Sequence, residues 1–177
     1  MYYNPVEVIE TNNWKDECIK VQKILGIENP VIMTSKGNLK RFDLFSVFNP
    51  ETIFSNITPN PTFISCHDAI DFIGTSIYDG VIAIGGGSVM DTAKVIMASL
   101  GTDKKSLPDL IAFTGPYKYK LPSIFIPTTH GTGSEVTMWG TIWNMSENKK
   151  YSLSHPDLYP SVAILDGNLT LTLPLDI

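Results

Sequence analysis

The fold of this chain is decided by residues 79–94, which read DGVIAIGGGSVMDTAK. The apolar run at 81–84 is short and rich in β-branched residues, which is typical of a strand covered on both faces in a parallel sheet. After the glycines, the apolar residues recur at helical spacing, at positions 89, 93, 96, 97 and 100. The pattern therefore predicts a buried strand, a glycine turn and an amphipathic helix.

The glycine turn at residues 85–87 has the chemistry of an anion site. Glycines carry no Cβ, so a ligand can approach the backbone and positive φ costs little. The helix N-terminus behind them offers unpaired N–H groups and the positive end of its dipole, and a dinucleotide pyrophosphate is a common ligand there. The turn does not match G-x-G-x-x-G and the chain has no P-loop motif, so neither the usual Rossmann fingerprint nor a P-loop NTPase is supported.

Two roles stay open for Asp91, three residues after Ser88. The spacing suits a capping box, in which the Ser88 hydroxyl accepts from the Asp91 N–H and the Asp91 carboxylate reaches back to the Ser88 N–H. A carboxylate beside a phosphate would repel it, which favours this structural role. The alternative is that Asp91 is a cofactor-binding residue.

Composition limits the classes of function. The chain has 177 residues, 43% of them hydrophobic, which suffices for one compact domain. The net charge of -5 argues against nucleic acid as a partner. Cys18 and Cys66 match no metal spacing, and we expect buried thiols in a reducing compartment. With no membrane-span-length apolar stretch and no signal-peptide pattern, we expect a cytoplasmic protein without membrane contact.

The rest of the chain alternates strands and helices, which predicts an α/β fold with a mainly parallel sheet flanked by helices. Strands are expected at 6–9, 30–34, 52–54, 81–84, 123–127 and 162–165. A β-hairpin near the C-terminal end is expected from 136–143 and 150–153. Helices are expected at 14–25, at 39–48, from the stripe Ile70, Ile73 and Ile77 up to residue 79, at 88–100, and as a turn at 106–110. His67 and His155 are interpreted as solvated side chains.

Four segments together resemble the N-terminal half of the iron-containing (group III) alcohol dehydrogenases. They are residues 59–62 (PNPT), 85–94 (GGGSVMDTAK), 127–137 (PTTHGTGSEVT) and 162–166 (VAILD). The resemblance implies that residues 1–177 form a Rossmann-like domain that binds NAD(P). It also implies that the family's helical domain, which holds Fe²⁺ or Zn²⁺, is absent from this chain. We therefore expect a metal-dependent oxidoreductase in the full-length protein and a truncated part here, inactive alone.

The resemblance also assigns the cofactor contacts. It places the pyrophosphate on Gly86, Gly87 and Ser88, the adenosine side on Asn60, the adenine and ribose on Thr128, Thr129 and Thr132, the nicotinamide ribose on Lys150, and an apolar cofactor contact on Leu169. His130 stands where the family usually has alanine, and a surface or packing role is expected for it. No catalytic or metal-binding residue is assigned within this chain.

Ser35 bears on the choice of cofactor, because a doubly wound fold places the adenosine ribose at the end of the second strand. An acidic residue there would accept the ribose 2′-hydroxyl and repel a 2′-phosphate, and NAD-strict members of the family commonly carry aspartate. Ser35 can instead donate to a phosphate oxygen, with Lys36 as a charged partner. This predicts that NADP(H) is tolerated or preferred. If Lys36 is only a solvated residue, both cofactors would bind about equally.

The reaction that the resemblance implies is hydride transfer between nicotinamide and a small alcohol or aldehyde, with the metal polarising the oxygen. Segments 149–153, 158–160 and 169–174 look most like the branch that reduces phosphonoacetaldehyde, and an aliphatic alcohol is a comparable substrate. Two alternatives stay open, a non-catalytic NAD(P)-binding module and a fragment of a dehydroquinate synthase-like enzyme. A homodimer is also open as the assembly.

Overall fold

The computed structural model describes residues 3–102, 104–171 and 173, which fold into a six-stranded parallel sheet with helices on both faces and a separate two-stranded hairpin. The strands are β1 (Glu7–Thr11), β2 (Pro30–Thr34), β3 (Ile53–Phe54), β4 (Gly80–Gly85), β5 (Ser123–Pro127), β6 (Trp139–Asn144), β7 (Lys149–Ser154) and β8 (Val162–Asp166). The helices are α1 (Trp14–Leu25), α2 (Lys36–Arg41), α3 (Phe63–Ile73), α4 (Gly87–Thr102) and α5 (Leu107–Ala112). The predicted fold class is confirmed.

The two faces of the sheet bury two apolar cores, because successive side chains of a strand point to opposite faces. In β4, Val81 and Ala83 pack into the core beneath α3, α4 and α5, whereas Ile82 and Ile84 pack into the core beneath α1. The central strands β2, β4 and β5 are buried along their whole length. This burial explains why they read as continuous apolar runs in the sequence.

The topology places a crevice between β2 and β4. The strand order is β1-β8-β5-β4-β2-β3, and every pairing in this sheet is parallel. The connection from β2 leads outward to β3 on one side, and the connection from β4 leads to β5 on the other. In open α/β sheets, ligands bind outside the carboxyl ends of strands at such a reversal. Ser35 directly follows β2, and the glycine turn follows β4.

Several predicted boundaries differ from the structure. The helix expected at 39–48 is α2 followed by a separate 3₁₀ turn, Leu44–Ser46, because Asp43 has a left-handed φ of 48° and interrupts the helical path. Helix α3 ends at Gly74, also at φ 48°, so Ile77 lies beyond it with 87% of its surface exposed. Residues 134–136 form a 3₁₀ turn, and the hairpin begins only at Trp139.

The hairpin β6–β7 packs on α4 rather than on the sheet. Ile142 and Leu153 join the core beneath that helix. Gly140 permits the close approach, since a Cβ at this position would lie 3.2 Å from the Asp91 carbonyl oxygen. The hairpin therefore forms a wall beside the start of α4. None of the described helices is long and apolar enough to cross a membrane.

Candidate functional site

The glycine turn packs against residues 128–132, the turn after β5, which we call the threonine turn. A Cβ at Gly86 would lie 2.9 Å from the Thr129 hydroxyl oxygen, and a Cβ at Gly87 would lie 3.0 Å from the Thr132 methyl carbon. Glycine is thus required here because a second loop packs against the backbone. The turn makes no use of positive φ, since the described glycines with positive φ are Gly26, Gly74, Gly131 and Gly133.

Ser88 lies inside α4 and does not cap it. Helix α4 begins at Gly87, and the Gly86 carbonyl accepts from the N–H groups of Val89 and Met90. The Ser88 hydroxyl accepts from the Asn60 N–H at 3.1 Å. The predicted capping box with Asp91 is wrong, because the Asp91 carboxylate binds the Ser134 hydroxyl at 2.9 Å and the Thr141 N–H at 3.1 Å. Both partners belong to segments far away in the sequence.

Two open clefts meet at the start of α4. The first, of about 350 Å³, lies between the ends of β2 and β4. The second, of about 460 Å³, lies between α4, the threonine turn and the hairpin. Gly87 and Ser88 line both clefts. Together the clefts form a trough that crosses the N-terminal end of a helix, where backbone N–H groups and the helix dipole favour an anion.

Hydrogen bonds join the strand ends beside the first cleft. The Thr34 hydroxyl donates to the Ile84 carbonyl at 2.8 Å, and the Thr128 N–H donates to the Gly85 carbonyl at 3.0 Å. The Asn38 side-chain amide makes longer contacts of 3.4 Å with the Ile84 carbonyl and the Thr128 hydroxyl. Thr128 is buried, so its polar groups mainly hold the ends of β2, β4 and β5 together.

Ser35 stands at the rim of the first cleft as the N-cap of α2. Its hydroxyl oxygen accepts from the Asn38 N–H at 3.2 Å. A hydroxyl that accepts in this way still has its own proton to donate. Ser35 can therefore serve as a helix cap and as a donor to a ligand in the cleft.

The second cleft is backed by a buried polar network around Lys94. Its ammonium group is fully buried and lies within hydrogen-bonding distance of four oxygens, which are the Ser134 carbonyl and hydroxyl, both at 2.8 Å, the Thr137 hydroxyl at 3.1 Å and the Trp139 carbonyl at 2.6 Å. Ser134 in turn donates to Asp91. The network joins α4 to the threonine turn and to the first residue of the hairpin.

Burial dominates the electrostatics of this network. It lowers the pKa of Lys94 to about 8, although the Asp91 and Glu135 carboxylates oppose the change. Burial also raises the pKa of Asp91, against hydrogen bonds from Thr141 and Ser134 and the charge of Lys94. The sequence interpretation missed Lys94. Its signal was a lysine in a helix that is apolar on nearly every face, where a charge requires buried partners.

The predicted cofactor-binding residues are divided between the two clefts. Ser35, Gly86, Gly87, Ser88, Thr128 and Thr129 line the first cleft, and Asn60, Gly87, Ser88, Asp91 and Thr132 line the second. Asn60 and Thr132 thus lie on the far side of the helix start from Ser35. The assignment of Asn60 to the adenosine side of the cofactor stays a prediction.

Two predicted contacts lie outside both clefts. Lys150 lies on β7 opposite Trp143, with its ammonium nitrogen 4.5 Å from the centre of a Trp143 ring. The Trp143 N–H donates to the Pro61 carbonyl at 2.8 Å, so this part of the hairpin adjoins the Asn60 loop. Leu169 is buried in the core beneath α1, and Leu173 instead lines the first cleft.

The histidines do not form a reactive cluster with one another. His67 and His130 are exposed. The interpretation of His155 as solvated is wrong, because its ring stacks on Tyr117 at 4.2 Å and its Nδ1 accepts from the Asp157 N–H at 3.2 Å. Within residues 3–102, 104–171 and 173, no group of three or more His, Cys, Asp or Glu side chains could hold a metal ion.

Comparisons with known proteins identify the family of this chain. The family model for iron-containing alcohol dehydrogenase matches residues 5–167. An aldehyde-alcohol dehydrogenase from Streptococcus pneumoniae is 36% identical over 90% of this chain and 20% of its own length. Long-chain-alcohol dehydrogenase 1 from Geobacillus thermodenitrificans is 37% identical over 90% of this chain and 42% of its own length.

Solved structures show the same relationship. Sulfoacetaldehyde reductase from Bifidobacterium kashiwanohense, in complex with NAD⁺, superposes with a TM-score of 0.85 at 27% identity, over 98% of this chain and 48% of the reductase. The chain thus spans less than half the length of each of these relatives. Since the family model covers most of its residues, the chain belongs to the iron-containing alcohol dehydrogenase family.

Proposed function

We propose that residues 1–177 are the dinucleotide-binding domain of an NAD(P)-dependent, metal-dependent alcohol dehydrogenase or aldehyde reductase. The observation that carries this proposal is the trough, in which two clefts share Gly87 and Ser88 at a helix N-terminus. A dinucleotide has the matching shape, two nucleosides joined by a pyrophosphate. The NAD⁺-bound reductase and the NADP-dependent alcohol dehydrogenase 3 of Entamoeba histolytica, 28% identical over 98% of this chain and 47% of its own length, support a nicotinamide cofactor.

We infer the orientation of the cofactor from the secondary structure that adjoins each cleft. The first cleft adjoins the end of β2, where a doubly wound fold holds the adenosine ribose. With the pyrophosphate over Gly87 and Ser88, the nicotinamide half occupies the second cleft. Asn60 and Thr132 are then contacts of the nicotinamide half, and Lys150 reaches its ribose from the adjoining hairpin. Ser35, in place of an acid, leaves room for NADP(H) as well as NAD(H).

The chemistry of the whole protein is hydride transfer between nicotinamide and a small alcohol or aldehyde. A metal, Fe²⁺ or Zn²⁺, would polarise the substrate oxygen, and its ligands would come from outside this chain. This domain's own contribution is to hold the cofactor in one orientation, since positioning supplies much of the rate gain. Phosphonoacetaldehyde and aliphatic alcohols are the substrates that we propose. Phosphonoacetaldehyde is a two-carbon aldehyde with an anionic group, as is the substrate in the name of the reductase relative.

We also propose a cellular location and an assembly for the protein. A location in the cytoplasm agrees with the buried free thiols of Cys18 and Cys66, which a reducing compartment preserves. A homodimer is the assembly that we propose. The competing function is a binding module without turnover. Sequencing the gene beyond codon 177 distinguishes the two, because the enzyme requires a second, metal-binding domain.

The test of the proposed function is a titration of the purified chain with NADH and NADPH, followed by the fluorescence of the reduced nicotinamide and by calorimetry. We expect saturable binding of at least one cofactor with a stoichiometry of one. Ile64→Ala, at an exposed position on α3 outside both clefts, is the matched control and should bind like the wild type. A folded chain that binds neither cofactor at millimolar concentration would contradict the proposal.

A further inference from the structure

The connecting segment, residues 131–138 between the threonine turn and β6, forms one wall of the second cleft. Apart from the 3₁₀ turn Ser134–Val136, it has no regular secondary structure. Gly131 and Gly133 have positive φ values of 106° and 61°, and a Cβ at either position would meet no atom within 4 Å. Packing around these glycines therefore does not fix the segment, and glycine has the widest choice of backbone conformations. Contacts elsewhere must hold the wall in place.

The ammonium group of Lys94 contacts the connecting segment and the residue that follows it. It lies 2.8 Å from the carbonyl and hydroxyl oxygens of Ser134, 3.1 Å from the Thr137 hydroxyl oxygen and 2.6 Å from the Trp139 carbonyl oxygen. An ammonium group has three N–H donors, so each of them has an acceptor here. Lys94 is fully buried and lines neither cleft. It therefore holds the wall from behind.

Ser134 links Lys94 to Asp91 on the same helix. Because an ammonium group only donates, the Ser134 hydroxyl oxygen accepts from Lys94, and its own proton goes to Asp91 at 2.9 Å. The other carboxylate oxygen of Asp91 accepts from the Thr141 N–H at 3.1 Å. Within the described residues, no buried side-chain nitrogen or oxygen lacks a hydrogen-bond partner. A buried polar network that is fully satisfied makes its surroundings rigid.

We propose that Lys94 is a positioning residue for the nicotinamide half of the cofactor, which acts through Ser134 to hold the wall of the second cleft in its binding conformation. This inference rests on the proposed function, because it concerns the same trough. A wall that is ordered before binding loses less conformational entropy when the ligand arrives, so its affinity is higher. None of the three residues that contact the ammonium group lines the first cleft. The adenosine half therefore does not depend on Lys94.

A role in fold stability alone makes a different prediction. If the network only stabilised the fold, a variant that remains folded would bind every ligand like the wild type. If the network positions the wall, only a ligand that reaches the second cleft loses affinity. ADP ends at its diphosphate and fills the first cleft and the helix start, whereas NADH extends into the second cleft. The ratio of their dissociation constants therefore separates the two roles.

The experiment measures dissociation constants for NADH and ADP, and for NADPH and 2′-phospho-ADP, by calorimetry at pH 7. Ser134→Ala removes the hydroxyl between Lys94 and Asp91. It should weaken the complete cofactor about three- to tenfold, the usual loss for one hydrogen bond, and the ADP fragment less than about twofold. Lys94→Met should act in the same direction and more strongly. Ser99→Ala is the matched control, because it removes another buried hydroxyl of α4, which accepts from Lys105 at 3.3 Å outside both clefts. It should leave both affinities unchanged.

A second measurement tests the order of the wall itself. Amide hydrogen exchange of the unliganded chain should be faster in residues 131–138 of Ser134→Ala than in the wild type, while β4 and β5 keep their protection. If Lys94→Met does not fold, Ser134→Ala decides the question alone. An unchanged ratio of dissociation constants or unchanged exchange in folded Ser134→Ala would overturn the inference and leave the proposed function intact. A wild type that binds neither cofactor would overturn both.

Discussion

Replacing Lys94 with methionine perturbs the network that joins α4 to the wall of the second cleft. Methionine keeps most of the length of the side chain but removes an ammonium group with four acceptors, two of them the carbonyls of Ser134 and Trp139. Asp91 also loses its nearby positive charge. Breaking a buried ionic network by removing one partner costs about 3 to 5 kcal/mol. We expect a loss of that size in the free energy of unfolding at pH 7.

The effect of Lys94 also depends on pH. Its pKa falls from 10.5 to about 8 in the folded chain because burial disfavours the charged form. Between these two values Lys94 binds a proton more often in the unfolded chain than in the folded chain, so its contribution to wild-type stability rises with pH. The cost of the buried charge is fully present below pH 8 and is relieved by pH 10.5. At 1.36 kcal/mol per pKa unit, the complete relief is about 3 kcal/mol.

The buried cysteines act in the opposite direction. Burial raises the pKa of Cys18 and Cys66 from 9.0 to about 12, so the folded chain retains protons that the unfolded chain loses above pH 9. Their contribution therefore lowers stability as pH rises. The wild type and Lys94→Met share both cysteines. The difference in unfolding free energy between the two proteins thus isolates Lys94.

The assay is urea unfolding of both proteins, followed by circular dichroism, at several values between pH 7.5 and 9.5. The stability gap should widen by about 1 to 2 kcal/mol over this range, because the Lys94 contribution rises with pH and the variant lacks it, whereas the cysteine contributions are the same in both proteins. Lys40→Met, at an exposed position, should show no such change. A gap that stays constant or narrows would refute the depressed pKa of Lys94. A variant as stable as the wild type at pH 7 would refute the structural role of the network.

Three other outcomes are expected. Gly87→Val should abolish binding of both cofactors in a folded chain, because its side chain would displace Thr132 and cover the helix start; calorimetry showing unchanged affinity would show that the pyrophosphate is bound elsewhere. Ser35→Asp should weaken NADPH more than NADH, since a carboxylate repels the 2′-phosphate; equal losses measured by fluorescence titration would place cofactor choice outside this residue. Elemental analysis of the dialysed chain should find no stoichiometric iron or zinc, and either metal retained against a mild chelator would contradict the expectation that its ligands lie elsewhere.

Local sequence patterns determined most of the fold. Strands β2 and β5 have the bounds that their apolar runs predicted, and α1 ends at Gly26, as its glycine C-cap predicted. These features depend on backbone preference and burial, and both can be recognised from residues that are neighbours in the sequence. The predicted boundaries were wrong where the backbone departs from regular geometry and no sequence pattern indicates it. One such place is Asp43, whose left-handed conformation divides an expected helix.

The sequence likewise predicted that the turns after β4 and β5 contribute to one site, since glycines and threonines at strand ends are a local signal, and the structure places the two turns against each other. Only the tertiary structure decided that Arg41 rather than Lys36 lines the first cleft, that Asn60 lies across the helix start from Ser35, and that Asp91 binds Ser134, 43 residues away, instead of capping its own helix. The physical reason is that a side chain's surroundings depend on which distant segments pack against it. The spacing of residues along one helix or strand predicts which of them share a face, but it does not predict which other segments pack against that face.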